Sequence, residues 1–341
     1  MTSADFKDHF QEHGFAVVPG VLEESDFTEV RHEYAEALDS LADTWRAEGR
    51  LDGGLEFRGR DFESQLLGLA ALPSFDGTLL GDLDITLPHM PFTMLQATSR
   101  LHLGSAVLGL LRNSKILDTV CQLVGDEIRA SPNQHVRLKL PAKGQKTFEG
   151  RHGETMHAPT LWHQDAMTQM PQSDATDLIT CWVPLMDVNA DHGCLLVVPD
   201  RHREDSLLPW PMDTATTQQL EAAAVPLPVS KGDLVLLHKR TPHGSTLNRS
   251  GNLRWSFDFR FYPAHEPTDR PWFPSVTVRS RAHPELASTG AEAWYQDWMD
   301  ARDMLVREGL IVPGRREFAQ LVAQSLMTRW ESGDYPTLPN S

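Results

Sequence analysis

The chain has 341 residues, 47 acidic against 31 basic, a formal charge of -16 and a hydrophobic fraction of 40%. That length suits one large domain with elaborations rather than several modules, and the acidic balance disfavours nucleic acid or an anionic membrane surface as main partner, because the long-range field repels both. The start MTSADFKDHF has no basic lead into an apolar run, no stretch approaches a membrane span, and three scattered cysteines make no disulfide framework, so a cytoplasmic protein is expected.

Residues 4–12 and about 23–43 read as helices, the second through the buried-stripe spacing of Val30, Tyr34, Ala37 and Leu38. Between them Gly14-Phe-Ala-Val-Val-Pro-Gly20 reads as a short strand closed by turn residues. Residues 46–100, rich in Gly, Asp and Pro, are expected to be loops, some covering a site. Residues 114–125 show helical periodicity and end on glycine. From 134 to 262 the pattern changes to short β-rich runs at 134–140, 160–163, 178–183, 194–198, 233–238 and 253–262. Turn-rich stretches such as Asn189-Ala-Asp-His-Gly193 separate them, a spacing that predicts a β-sandwich or barrel rather than βαβ units. Residues 214–224 form a helical insert; after about 290 helices return, with Trp294, Trp298 and Leu305 on one face and a further helix at 317–330. The expected plan is a single domain, mainly β with flanking helices: helical elaboration and loops over 1–130, a β core over 131–265, and a helical extension over 266–341. Nothing in the pattern fixes an oligomeric state.

Oxygen-activating non-haem iron enzymes commonly bind Fe(II) through two histidines and one carboxylate. A strand-end His-X-Asp supplies two of these, and period-two geometry puts both on one side if the strand continues. His163-Gln-Asp165 has this form, but so do His152-Gly-Glu154, His202-Arg-Glu204 and His283-Pro-Glu285. With 15 histidines and 47 acidic residues, roughly two such matches arise by chance. A later segment selects among them. Lys231-Gly-Asp-Leu-Val-Leu-Leu-His leads to Pro-His243-Gly-Ser245, and Arg254 opens the alternating run Arg254-Trp-Ser-Phe-Asp-Phe-Arg-Phe-Tyr262. Trp255, Phe257, Phe259 and Phe261 share one face; Arg254, Ser256, Asp258 and Arg260 share the other. Two readings stand: a barrel strand facing a polar interior, or an edge strand with a charged outer face.

From His135 to Tyr262 the chain resembles the phytanoyl-CoA dioxygenase family of Fe(II)/2-oxoglutarate oxygenases. The resemblance lies in Trp-His163-Gln-Asp165, Cys-Trp182-Val-Pro-Leu, Asp-His-Gly193-Cys-Leu-Leu-Val-Val-Pro199 with His202 soon after, and Pro-His243-Gly-Ser245 with Arg254. It implies a double-stranded β-helix, or jelly roll. It also implies iron-ligand roles for His163, Asp165 and His243, and co-substrate roles for Arg254, Ser245 and Trp182.

Those residue types suit that chemistry. A planar guanidinium grips the remote carboxylate of 2-oxoglutarate bidentately and a hydroxyl adds a bond, with Arg254 as the guanidinium and Ser245 or Ser256 as the hydroxyl. Trp182 reads equally as a wall of that pocket or as a core aromatic. The expected reaction uses O2 and Fe(II) to hydroxylate an unactivated C–H bond of a small molecule, converting 2-oxoglutarate to succinate and CO2; desaturation or cyclisation by the same oxidant is the alternative. Related halogenases carry Gly or Ala in place of the carboxylate, so Asp165 argues against halogenation.

On the strand at 134–140, His135, Arg137 and Lys139 share a face; Arg137 and Lys139 read either as contacts to an anionic substrate or the co-substrate, or as a solvated face. His152 and His157 read as entrance or surface residues, His238 as a satisfied strand residue, and His192 and His202 as turn-stabilising. Nine tryptophans raise an aromatic cage for a quaternary amine, though several fit core faces. Two rivals remain: a non-catalytic jelly-roll binding protein, and a cupin-like Zn(II) hydrolase or isomerase using the same triad.

Overall fold

A computed structural model describes residues 3–88, 93–142, 160–209 and 212–315. In chain order the elements are α1 (Ser3–His13), β1 (Phe15–Val18), α2 (Thr28–Ala47), α3 (Phe62–Ala70), α4 (Ser105–Leu111) and α5 (Ser114–Val124). Then come β2 (Ile128–Ala130), β3 (His135–Lys139), β4 (Ile179–Pro184), β5 (Leu195–Val197), α6 (Thr214–Ala223) and β6 (Val225–Leu227). The last are β7 (Leu234–His238), β8 (His243–Ser245), β9 (Arg254–Pro263), β10 (Val276–Arg279) and α7 (Ala291–Arg307), with short 3-10 turns between.

The strands form two antiparallel sheets. The larger has the order β1-β7-β4-β9-β2-β10, with β3 also paired to β9; the smaller has the order β6-β5-β8. The jelly-roll expectation is met. β9 decides between its two readings, because all ten of its residues are buried. Its aromatic face enters the main hydrophobic core, where Trp255 and Phe257 pack on Tyr34 of α2 at centroid distances of 5.2 and 5.8 Å. Its polar face lines the space between the sheets, with residues of β4, β5, β7 and β8 around it. A strand covered by helices on one side and by a second sheet on the other has no solvated face.

The sheet reaches beyond the expected core, since β1, β2 and β10 lie outside residues 131–265. The segment 266–315 is therefore not wholly helical: it contributes β10 before α7, whose Trp294, Trp298 and Leu305 are buried as the periodicity predicts. The loop reading of 46–100 needs a larger correction. That stretch contains α3 and a seven-residue 3-10 helix, and Leu66, Leu69, Leu79, Leu80, Leu83, Ile85 and Leu87 are buried. The Asp residues that looked like loop composition are partly caps: Asp61 accepts from Ser64 N–H and Asp76 from Thr78 N–H. α4, seven residues long, is too short to show a periodicity in the sequence, and the helix expected at 317–330 lies outside the described residues. No helix among the described residues is long and apolar enough to cross a membrane.

Candidate metal centre and anion pocket

His163 and His243 are 80 residues apart in sequence but form a directly hydrogen-bonded antiparallel pair, with N–H to carbonyl distances of 3.0 and 2.9 Å in the two directions. Opposed residues of such a pair point to the same face, and the two rings lie 4.2 Å apart. The chain does not continue as a strand to Asp165, as the period-two argument required. It turns into a 3-10 helix at Asp165–Thr168, held by Ala166 N–H on the Lys239 carbonyl at 2.9 Å and by the Gln164 amide on the Arg240 carbonyl at 2.6 Å. The turn still brings Asp165 Oδ1 to 3.9 Å from His163 Nε2. Gln164, a spacer in the sequence reading, is thus a brace; it also accepts from Leu208 N–H at 2.7 Å.

One potential ligand atom from each of His163, Asp165 and His243 lies within 4.8 Å of the others, and no other such group exists among the described residues. Each histidine spends Nδ1 on a backbone carbonyl two residues back, His163 on Leu161 at 2.8 Å and His243 on Thr241 at 2.9 Å. If Nδ1 carries the proton, Nε2 keeps its lone pair for a metal; fixing ligand histidines in this way is the usual work of their outer partners. Burial, then the neighbouring His243, pulls His163 down to about 3, so its ring is neutral. Burial alone would raise the Asp165 carboxyl, but Arg260 and the two histidines outweigh it and hold it ionised. The donor set therefore fits a divalent cation. The other His-X-acid matches do not compete: His283 and Glu285 are both exposed, Glu204 is exposed, and His152-Gly-Glu154 lies outside the described residues.

Both oxygens of Asp165 have partners from the large sheet. Arg260 donates to Oδ1 at 2.6 Å and Thr180 donates to Oδ2 at 2.5 Å. Neither partner was named as a site residue from the sequence, although Arg260 stood on the polar face of the alternating run.

Arg254 is 1% exposed, donates to Ser256 Oγ at 2.7 Å, and stands 5.6 Å over the ring of Trp182, which lines the cavity and also packs in a buried apolar cluster. Burial draws its guanidinium down to about 10, still charged at neutral pH. Lys139 lies opposite Arg254 in the β3–β9 register, is fully buried, and donates to Ser245 Oγ at 2.5 Å and to the Thr246 carbonyl at 2.9 Å. Burial first, then Arg254 and Arg137, holds the Lys139 ammonium well below its ordinary range. Among the described residues neither Arg254 nor Lys139 has a carboxylate partner. Asp258 acts on both through space, and a buried guanidinium and amine side by side with no direct ion pair mark a candidate place for an anion.

The solvated-face reading of Arg137 and Lys139 fails, since both are buried. Arg137 Nε donates to Asp258 at 2.8 Å inside the cavity. His157 and His152 lie outside the described residues. His192 braces its turn through Asn189 Oδ1 at 2.8 Å, and His238 accepts from Arg240 N–H at 3.1 Å, as expected. His202 instead reaches across to the Gln11 carbonyl of α1 at 3.2 Å.

A jelly roll holding two histidines and a carboxylate beside an anion pocket defines the class of site. Residues 105–256 match the family model "Phytanoyl-CoA dioxygenase (PhyH)", the family that the sequence resemblance implied. Among solved structures, a non-heme monooxygenase, the ThoJ–Ni complex, aligns over 93% of this chain and 100% of its own, at 17% identity and a TM-score of 0.52. The apo form of ThoJ aligns over 90% of this chain and 100% of its own, at 17% identity and a TM-score of 0.50. The carbocyclase SnoK from nogalamycin biosynthesis aligns over 85% and 94%, at 19% identity and a TM-score of 0.46. At such identities the likeness to ThoJ concerns the fold alone. No curated protein matches the chain.

Proposed function

We propose that the protein is an Fe(II)- and 2-oxoglutarate-dependent dioxygenase that hydroxylates an unactivated C–H bond of a small-molecule metabolite. The observation that carries this reading is one cavity lined by His163 and His243, whose side chains converge with Asp165, and by Arg254 above Trp182. A hydrolytic zinc site needs the triad but has no use for a buried guanidinium beside it that makes no ion pair among the described residues. A dicarboxylate co-substrate does.

When bound, iron and 2-oxoglutarate supply O2-dependent oxidation of a C–H bond, coupled to loss of CO2 and formation of succinate. The chain's own residues do the rest. His163, His243 and Asp165 hold the metal, and Arg260 and Thr180 fix the carboxylate so that its geometry is set before the metal arrives. Arg254, oriented by Ser256, and Lys139, oriented by Ser245, receive the remote carboxylate of 2-oxoglutarate. Of the two anions open to the basic face of β3, substrate or co-substrate, this arrangement gives Lys139 the co-substrate. Trp182 walls the pocket and helps keep water from the reacting carbon.

The test is anaerobic addition of Fe(II) and 2-oxoglutarate, which should give the weak visible charge-transfer absorption of their chelate. O2-dependent succinate release, stimulated by members of a metabolite panel, should follow. Absence of both defeats the proposal, and turnover with Zn(II) alone would favour the hydrolase.

A further inference from the structure

We infer that Arg260 is a positioning residue that competes with the metal for the charge of Asp165, so that the triad holds a divalent cation less tightly than its three ligands alone would. The inference rests on the metal-centre reading above. Thr180 and Arg260 stand directly opposite each other in the β4–β9 register, and each takes one oxygen of the Asp165 carboxylate. The two oxygens are not equivalent. Oδ2 accepts from a neutral hydroxyl at 2.5 Å, whereas Oδ1 accepts from a guanidinium at 2.6 Å and is also the oxygen 3.9 Å from His163 Nε2. The carboxylate thus turns towards the histidines the oxygen that already bears a cation.

Charge gives the consequence. Histidines ligate as neutral rings, so a triad of this kind offers a metal only the single negative charge of its carboxylate. Among the described residues Asp165 is the one carboxylate whose oxygen converges with the two histidines. Arg260 balances it, and does so from a fixed position: its side chain is buried, and its other terminal nitrogen donates to the Asn133 carbonyl at 2.7 Å. The nearby Asp258 is already matched by Arg137, and Arg254 lines the same cavity with a further positive charge. A divalent cation therefore enters a centre whose own carboxylate is spoken for. Like charges repel far more strongly in such a buried space than in water.

This sets Arg260 apart from an ordinary outer partner of a metal ligand. A partner that only orients its ligand raises metal affinity, and its loss typically costs about 10- to 100-fold. A cationic partner that competes has the opposite sign, because removing its charge returns the carboxylate to the metal. Thr180, a neutral donor on the other oxygen, has no charge to compete with. The direction of the change in metal affinity therefore separates competition from simple orientation.

The test titrates Mn(II) into the metal-free protein without 2-oxoglutarate, follows bound metal by electron paramagnetic resonance, and counts the site that His243→Ala abolishes. Arg260→Gln, which keeps a donor and loses the charge, should bind Mn(II) about tenfold or more tighter than wild type. Arg260→Lys, which keeps the charge, should stay within about threefold of wild type. Equal or weaker binding by Arg260→Gln overturns the inference, and so does an Arg260→Lys variant that tightens as much as Arg260→Gln. Without Arg260 the buried Asp165 carboxylate is unpaired, so Arg260→Gln can fail to fold in the absence of metal. Its folding is then followed as Mn(II) is added. Folding restored at or below the concentration that half-saturates wild type is the expected result; a need for more Mn(II), or no folding at all, overturns the inference. Failure of the underlying metal-centre reading is seen separately, as wild-type protein that binds no Mn(II) at a site sensitive to His243→Ala, with or without 2-oxoglutarate.

Discussion

Arg260 Nη2 stands 2.6 Å from Asp165 Oδ1, and both side chains are buried, at 3% and 1% exposure. The carboxylate of the candidate metal triad is thus also half of a structural ion pair. The second nitrogen of the same guanidinium donates to the Asn133 carbonyl at 2.7 Å, which fixes the fork.

Removing Asp165 should therefore do two things. Asp165→Ala should abolish turnover, and it should also weaken the fold by about 3–5 kcal/mol, the usual cost of leaving a buried partner charge uncompensated. Adding Arg260→Met should recover most of that stability and none of the activity. Urea melts of the metal-free proteins measure this; an Asp165→Ala variant as stable as wild type would show that the pair does not form.

The anion pocket predicts a separation of kinetic constants. Arg254→Lys and Lys139→Met should each raise the KM for 2-oxoglutarate by about ten- to a hundredfold, the range expected for one charge-assisted bond lost from a buried site. The lysine at 254 is no rescue, because a point charge lacks the guanidinium fork. Steady-state titration of 2-oxoglutarate checks it. A Lys139→Met variant whose 2-oxoglutarate KM is unchanged would return Lys139 to a role in binding the primary substrate.

Gly193 has φ of +72°, and a Cβ placed there would meet the Thr246 carbonyl oxygen at 2.4 Å. That carbonyl is also an acceptor for Lys139. Gly193→Ala should cost about 2 kcal/mol or more, from left-handed backbone and a backbone clash together. Gly251→Ala, which meets nothing within 4 Å, should change stability by no more than about 1 kcal/mol. Thermal melts of the two variants side by side provide the comparison.

His238 gives a pH-dependent term. Burial, followed by His202, Lys239 and Arg240, draws its imidazole from 6.5 down to about 4. The unfolded chain therefore takes up a proton below about pH 6.5 that the folded chain refuses until about pH 4. Stability is fully present above the upper value and is lost as pH falls through this window, with a slope of at most about 1.4 kcal/mol per pH unit from this residue. His238→Gln should flatten the fall in melting temperature between pH 6.5 and 4.5. An unchanged slope would mean that the ring is protonated in the native state.

Much of the site was legible in sequence because its logic is local. The strict alternation of Arg254-Trp-Ser-Phe-Asp-Phe-Arg-Phe already separates an apolar face from a polar one, and four buried polar residues on a strand demand an enclosed polar space. The His-X-Asp at 163–165 was near chance by itself, one of four such pairs, and gained meaning only beside His243 and Arg254. What escaped was cross-strand. Thr180 and Asp165, Arg137 and Asp258, and Lys139 and Ser245 are partners through register and turn geometry, and side-chain spacing along one strand carries no information about the strand beside it. The helices within 46–100 escaped for another reason. Short elements stabilised by caps and by tertiary packing carry too few periods to stand out from their Gly and Pro neighbours.

The sequence by itself determined the short β-rich runs and the two faces of the strand opened by Arg254, because each depends on residue type and a short-range period; the jelly roll and the roles of His163, Asp165, His243 and Arg254 were what the family resemblance implied. Only the tertiary structure decided that Asp165 is neutralised by Arg260, that Lys139 lies buried opposite Arg254, and that Asp258 pairs with Arg137. The physical reason is burial. Charge becomes costly enough to dictate partners only once water is gone, and which groups lose their water is set by how the two sheets close over one another.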